Sequence, residues 1–190
     1  MVEDKDKDMN QKKEVGVELK REILWLAKTV AIAFGLTVFL NSTMLVNARV
    51  PSQSMENTIE PGDRFLGTRL AYSDGDPERF DVIVFKYPDD ESVTYVKRII
   101  GLPGEVVNIV EGKVYINDSQ EPLEEDFIAE PMIGSYGPYE VPEDCYFVLG
   151  DNRNNSNDSR FWSNTFVSRS QIVGKAVVCY WPPAHVGLIQ

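Results

Sequence analysis

From Ile23 to Leu40 the chain is apolar with a single charge, Lys28, and apolar character resumes at Met44 to Val46 after three polar residues. Eighteen helical residues reach roughly 27 Å, close to the hydrocarbon thickness of about 30 Å, so the run predicts a membrane span with its anchor over 23–46. Lys28 can snorkel to the interface, and Trp25 beside it is an interfacial anchor. Residues 1–22 carry six Lys or Arg and seven Asp or Glu with almost no apolar positions, which predicts a mobile cytoplasmic segment with little structure. A cleavable signal peptide is the competing reading, since Val46-Asn47-Ala48 has small residues at its ends; the length of the apolar run favours a permanent anchor.

Beyond residue 47 the pattern changes to short runs rich in Val, Ile, Tyr and Phe. They lie at 81–85, 93–100, 105–110, 113–116, 145–149 and 174–181, and each reads as a strand. Turn signals separate them, among them Pro61-Gly62-Asp63, Tyr87-Pro88-Asp89, Gly101-Leu102-Pro103-Gly104 and Glu111-Gly112. Short strands without helical periods between them predict a mainly β, antiparallel domain over 47–190. Residues 117–144, rich in Pro and acids, read as a long surface excursion.

Composition narrows the possibilities. At 190 residues, 43% hydrophobic and 26% charged, there is room for one modest core behind the anchor. Lys12, Lys13, Lys20 and Arg21 precede the span, and Arg49 is the one basic residue between Asn41 and Glu60. The positive-inside rule therefore puts the N-terminus in the cytoplasm and the β domain outside it. The formal net charge is −11, which argues against nucleic acid as a partner. Cys145 and Cys179 specify no disulfide framework.

Candidate chemistry begins at Val50-Pro51-Ser52-Gln53-Ser54-Met55, just after the span. Pro51 biases Val50 to an extended backbone, and in an extended chain Ser52 and Ser54 face the same side. A serine nucleophile needs a nearby base, and the oxyanion it creates needs donors. The single histidine, His185, lies in a Pro-Pro-Ala-His tail and is a poor candidate. Of the four exported lysines, Lys97 lies mid-strand, on the face of Tyr95 and Ile99, where desolvation lowers an ammonium pKa. The bland readings are an extended linker around the serines and a strand-edge lysine that discourages aggregation.

Three segments in this order behind one N-terminal span settle the matter: Pro51-Ser52-Gln53-Ser54-Met55, Tyr95-Val96-Lys97-Arg98 followed by Gly101-Leu102-Pro103-Gly104, and Gly150-Asp151-Asn152-Arg153-Asn154-Asn155-Ser156-Asn157-Asp158-Ser159-Arg160. Together they resemble bacterial type I signal peptidases along the whole chain. The resemblance implies a plasma-membrane serine endopeptidase with a Ser-Lys dyad that cuts signal-peptide-bearing preproteins after Ala-x-Ala-like sites. By similarity Ser54 is the nucleophile, Lys97 the general base, Ser52 an oxyanion donor and Ser156 a partner that hydrogen-bonds and orients Lys97. Asp151 with Arg98 and Asp158 with Arg160 look like the family's structural ion pairs. Met55, Tyr95, Val50, Ile59 and Val96 would line shallow pockets for small side chains. No metal and no cofactor are implied, and one His with two distant Cys could not assemble a metal site.

The sequence departs from the family pattern at three positions: Asn57 where proline is usual, Gln53 where glycine is common and Asn154 where aspartate is frequent. Phe161, Trp162 and Trp181 have two readings: contact with a lipid bilayer surface, since indoles favour the interface, or ordinary core packing. Two other readings remain: a cytosolic self-cleaving repressor type, which lacks an anchor, and a tethered β domain that binds without catalysis.

Overall fold

The computed structural model describes residues 3–190. It divides into a helical unit, Met1–Thr43, and a β unit, Met44–Gln190. Helix α1 runs from Glu3 to Thr43, and its stretch Glu18–Leu40, 23 residues of mean hydropathy 2.1, is long and apolar enough to cross a membrane. Trp25, Ile32 and Phe34 are all more than 60% exposed on it. A helical stretch apolar on every side fits a lipid environment. The segment expected to carry little structure is helical from Glu3; its Glu, Lys, Gln and Met are good helix formers that extend a helix already nucleated by the apolar run. The C-terminal edge also differs, because Leu45 begins a strand and the helix ends at Thr43.

The β unit is built on a large antiparallel sheet. Its strands are β1 (Leu45–Arg49), β2 (Arg64–Thr68), β3 (Val82–Tyr87), β4 (Asp90–Gly101), β8 (Cys145–Leu149), β9 (Val167–Ser168), β10 (Ile172–Trp181) and β11 (Gly187–Leu188). They run in the order β1-β2-β10-β3-β4-β8-β9, with β11 on β10. A smaller sheet is ordered β6-β5-β7, from β5 (Val106–Val110), β6 (Lys113–Ile116) and β7 (Tyr136–Glu140). The fold is therefore mainly antiparallel β with one N-terminal apolar helix.

Strands β3 and β8 are continuous apolar runs because both their faces are covered. Val82 and Val84 pack with Val50, Met55, Ile59 and Phe65, whereas Ile83 and Phe85 pack with Ile99, Tyr146, Val148 and Trp162. On β8, Phe147 and Leu149 turn to the small sheet and join Ile100, Val107, Ile109 and Val114. Each such side chain contributes about 1.5–3 kcal/mol on burial. Trp162 takes the core reading, 6% exposed and meeting Tyr87 edge-on at 5.3 Å, while Phe161 and Trp181 are more than half exposed. The excursion is irregular from Asn117 to Ser135, but its end forms β7 despite Pro138.

Candidate active site

The two serines lie in a bend, not in the extended chain expected. Strand β1 ends at Arg49, and Val50 exchanges backbone hydrogen bonds with the Pro61-Gly62-Asp63 turn, its N–H donating to Asp63 O and its carbonyl accepting from Gly62 N. The chain then coils, with Glu56 N donating to Gln53 O and Ile59 N to Met55 O. This coil drives Met55 and Ile59 into the core, both fully buried, and leaves Ser54 at the rim, 8% exposed. The serine hydroxyls still meet: Ser52 Oγ lies 3.3 Å from Ser54 Oγ.

Strand β4 brings the lysine. Its register against β3 pairs Lys97 with Ile83 and Tyr95 with Phe85, so alternation puts Lys97 on the face of Tyr95 and Ile99. Lys97 Nζ donates to Ser54 Oγ at 2.6 Å and to Val96 O at 3.1 Å, and lies 5.5 Å from the Tyr95 ring centre. Lys97 is 4% exposed. Burial pulls its pKa from 10.5 down to about 8, against the opposing pull of the Asp158 and Asp151 carboxylates. An amine so placed can lose its proton near neutral pH and then accept the Ser54 hydroxyl proton.

The Gly150–Arg160 segment closes the site from behind. Asn152 N donates to Ser54 O at 3.2 Å, joining this loop to the serine coil. Gly150 allows the approach, since a Cβ there would lie 2.3 Å from Ser54 O and 2.2 Å from Ser156 Oγ. Ser156 is buried, but among the described residues its Oγ has no hydrogen-bond partner, so the expected bond to Lys97 is not made here. Arg98 binds Asp151 bidentately at 2.9 and 2.7 Å, and Arg160 binds Asp158 at 2.7 and 2.8 Å. Both pairs are almost wholly buried. Thr58 Oγ1 donates to Asp151 Oδ2 at 2.5 Å, and Gly150 N donates to Asp158 Oδ2 at 3.1 Å. The carboxylates thus tie the serine coil, β4 and the loop into one hydrogen-bonded unit.

A groove of about 840 Å³ opens over Ser54 and Lys97. Val50, Met55, Tyr95 and Val96 line it; Ile59, expected among them, does not, because the coil turns it into the core. Ala48, Val84 and Val93 add apolar wall that sequence reasoning missed, and Gln53, Asn155 and Asn157 add an amide-lined border. Ala48 belongs to β1, a strand that begins inside the expected anchor. His185 stands apart from Ser54 and Lys97, its Nδ1 2.8 Å from Asp63 Oδ1. Sequence reasoning also missed a buried ion pair between Arg153 and Glu125, because Glu125 is one acid among many in the excursion.

The family model "Signal peptidase, peptidase S26" matches residues 23–181. A probable signal peptidase I-2 of Synechocystis sp. is 39% identical over 194 residues, covering all of this chain and 86% of the relative. The signal peptidase I of Leptolyngbya laminosa is 39% identical over 168 residues, 84% of this chain and 80% of its own length. Among solved structures, a signal peptidase I of Enterococcus faecalis aligns with 53% of this chain and 96% of its own, at 36% identity and a TM-score of 0.46. The chain belongs to the signal peptidase family, membrane-anchored serine peptidases that remove signal peptides from exported preproteins.

Proposed function

We propose that this chain cuts preproteins after small residues by a Ser-Lys acyl-enzyme mechanism, with Ser54 as nucleophile and Lys97 as the group that takes and returns its proton. The observation that carries the reading is the 2.6 Å contact between Lys97 Nζ and Ser54 Oγ in a site that holds the lysine pKa near 8. Neutral Lys97 accepts the hydroxyl proton as Ser54 Oγ bonds to the scissile carbonyl carbon. The oxyanion so formed receives a hydrogen bond from Ser52 Oγ, which is within reach of Ser54 Oγ, and from the Ser54 backbone N–H. The C–N bond then breaks as the Lys97 ammonium gives its proton to the departing amine. Water next attacks the ester carbon as Lys97 takes its proton, and the bond to Ser54 Oγ breaks as Lys97 returns that proton to it, releasing the carboxylic acid product. Ser156, buried beside Gly150, is by family resemblance the residue that orients Lys97; Arg98–Asp151 and Arg160–Asp158 hold the loop that carries it.

The groove walls from Val50, Met55, Tyr95 and Val96 accept small apolar side chains, the source of Ala-x-Ala selectivity. The basic residues before the span put the N-terminus in the cytoplasm, and the exposed Phe161 and Trp181 let the domain rest on the bilayer.

The test is cleavage of a preprotein with an Ala-x-Ala site by full-length protein in detergent. Lys97→Arg retains the charge but cannot release a proton, so it stays folded and loses activity by about a thousandfold or more, as does Ser54→Ala. His185→Ala retains wild-type activity. Near wild-type cutting by folded Lys97→Arg would sink the assignment.

A further inference from the structure

The excursion at residues 117–144 is tied to the loop behind the site by contacts of an unusual kind for a surface insertion. Arg153 Nη1 and Nη2 donate to Glu125 Oε2 and Oε1 at 3.1 and 2.6 Å, with side-chain exposures of 0% and 5%. The same guanidinium donates from Nε to Gly150 O at 3.0 Å, and the Arg153 carbonyl accepts from Arg160 Nη2 at 2.7 Å. One buried cation therefore joins the excursion to the glycine that packs against Ser54 O and Ser156 Oγ. Two residues further along, the Phe127 ring covers the Arg98 guanidinium at 4.0 Å, and Phe127 O accepts from Asn57 Nδ2 at 2.6 Å. Asn154 completes the attachment: its Oδ1 accepts from Ile133 N, and its Nδ2 donates to Glu130 Oε1 and Pro131 O.

Asn57 and Asn154 are two of the positions at which this sequence departs from the family pattern, and both spend their amides on the excursion. Asn57 has φ of 87°, a left-handed conformation that proline cannot adopt. The departures and the strap thus share one physical explanation.

We propose that Glu125 is a positioning residue for catalysis: through Arg153 it holds the Gly150–Ser156 turn against Ser54 and Lys97, making residues 117–133 a working part of the peptidase. The inference rests on the Ser54–Lys97 reading above. Its physical basis is geometric. A bidentate carboxylate–guanidinium pair fixes direction as well as distance. An apolar pair of similar volume would fill the same space at little cost in stability and would leave the Gly150 carbonyl without its donor. A loop that relaxes by about 1 Å at a reacting centre costs on the order of a hundredfold in rate.

The experiment measures kcat, KM and melting temperature of the full-length protein in detergent with an Ala-x-Ala preprotein, for Glu125→Gln, Glu125→Asp and the double variant Glu125→Leu/Arg153→Met. Wild type and Ser54→Ala are the controls. The expected result is a kcat lowered about tenfold or more in Glu125→Gln and in the double variant, with KM within about twofold of wild type and a folded protein. Glu125→Asp, which keeps the carboxylate, recovers part of the loss. A folded double variant with wild-type kcat overturns the proposal, as does a rise in KM at unchanged kcat. If the double variant does not fold, Glu125→Gln decides by the same criteria. If Glu125→Gln also unfolds at assay temperature, Glu125 is a staple of the fold and the proposal fails. The underlying dyad reading fails separately, when wild type does not cut or Ser54→Ala does.

Discussion

At the scale of single residues, Lys97 carries opposing demands. The folded protein holds its pKa near 8, below the 10.5 of a free lysine, because the ammonium is desolvated. Between those two values the unfolded chain binds more protons than the folded one, so stability attributable to this group rises with pH. Below about pH 8 both states are protonated, and the cost of burying the charge is present in full, on the order of 3 kcal/mol. Lys97→Met should therefore be inactive, yet melt at or above wild type at pH 7, with the difference shrinking toward pH 10. A variant less stable than wild type at pH 7 would contradict the burial argument. Wild-type cleavage should rise with pH through about 8, following the neutral amine. Gly150 and Asn57 impose backbone constraints of their own. Gly150→Ala should reduce cleavage by about a hundredfold, since the new methyl falls on Ser54 O and Ser156 Oγ. Asn57→Pro should lower the melting temperature, because proline cannot take a φ of 87° and would lose the bond to Phe127 O.

Strand β4 does most at the scale of elements. Its alternation sends Tyr95 and Lys97 to one face and Arg98 to the other, so one strand supplies both the amine that meets Ser54 and the cation that holds Asp151. Pairing with β3 runs along both residues, whereas pairing with β8 begins at Arg98 and leaves the Val93–Lys97 stretch on the groove; the burial of Lys97 keeps its pKa down. The aromatic residues divide by the same logic. Trp162 lies in the core against Phe85, Tyr87 and Tyr95, whereas Trp181 ends β10, 54% exposed. Lipid vesicles added to residues 44–190 should shift tryptophan emission through Trp181 alone. Trp181→Phe should abolish the shift; a response that persists in that variant would refute the bilayer contact.

For the whole molecule, an apolar helix and an acidic β unit give each part its own solvent. Helix residues Glu18–Leu40 are apolar enough for lipid, and the chain's net charge of −11 favours solubility of the β unit in water. The basic residues cluster before the span, so protease added outside spheroplasts should digest the chain after residue 60 and spare an N-terminal tag. A protected C-terminal half would reverse the assigned topology.

The choice of Ser54 and Lys97 came with the family resemblance, whereas short-range patterns in the sequence were enough to determine the apolar helix and the strands at 82–87, 90–101, 106–110, 113–116, 145–149 and 172–181 to within a few residues. Each depends on a local rule of periodicity, turn chemistry or polarity that neighbouring residues satisfy among themselves. Strands β1, β2 and β7 escaped that reading: Leu45 and Val46 look like more of the span, β2 has only Phe65 and Leu66 as strong apolar positions, and β7 contains Gly137 and Pro138. Only partners distant in sequence make strands of them, β2 and β10 in the large sheet and β5 in the small one. Tertiary structure likewise decided that Ile59 and Trp162 belong to the core and that Glu125, alone among the acids of the excursion, is buried against Arg153. Serine and lysine meet for the same reason. Forty-three residues separate them along the chain, and the 2.6 Å between their functional atoms exists because the coil after β1 and the register of β4 on β3 are both held by packing that no local pattern encodes.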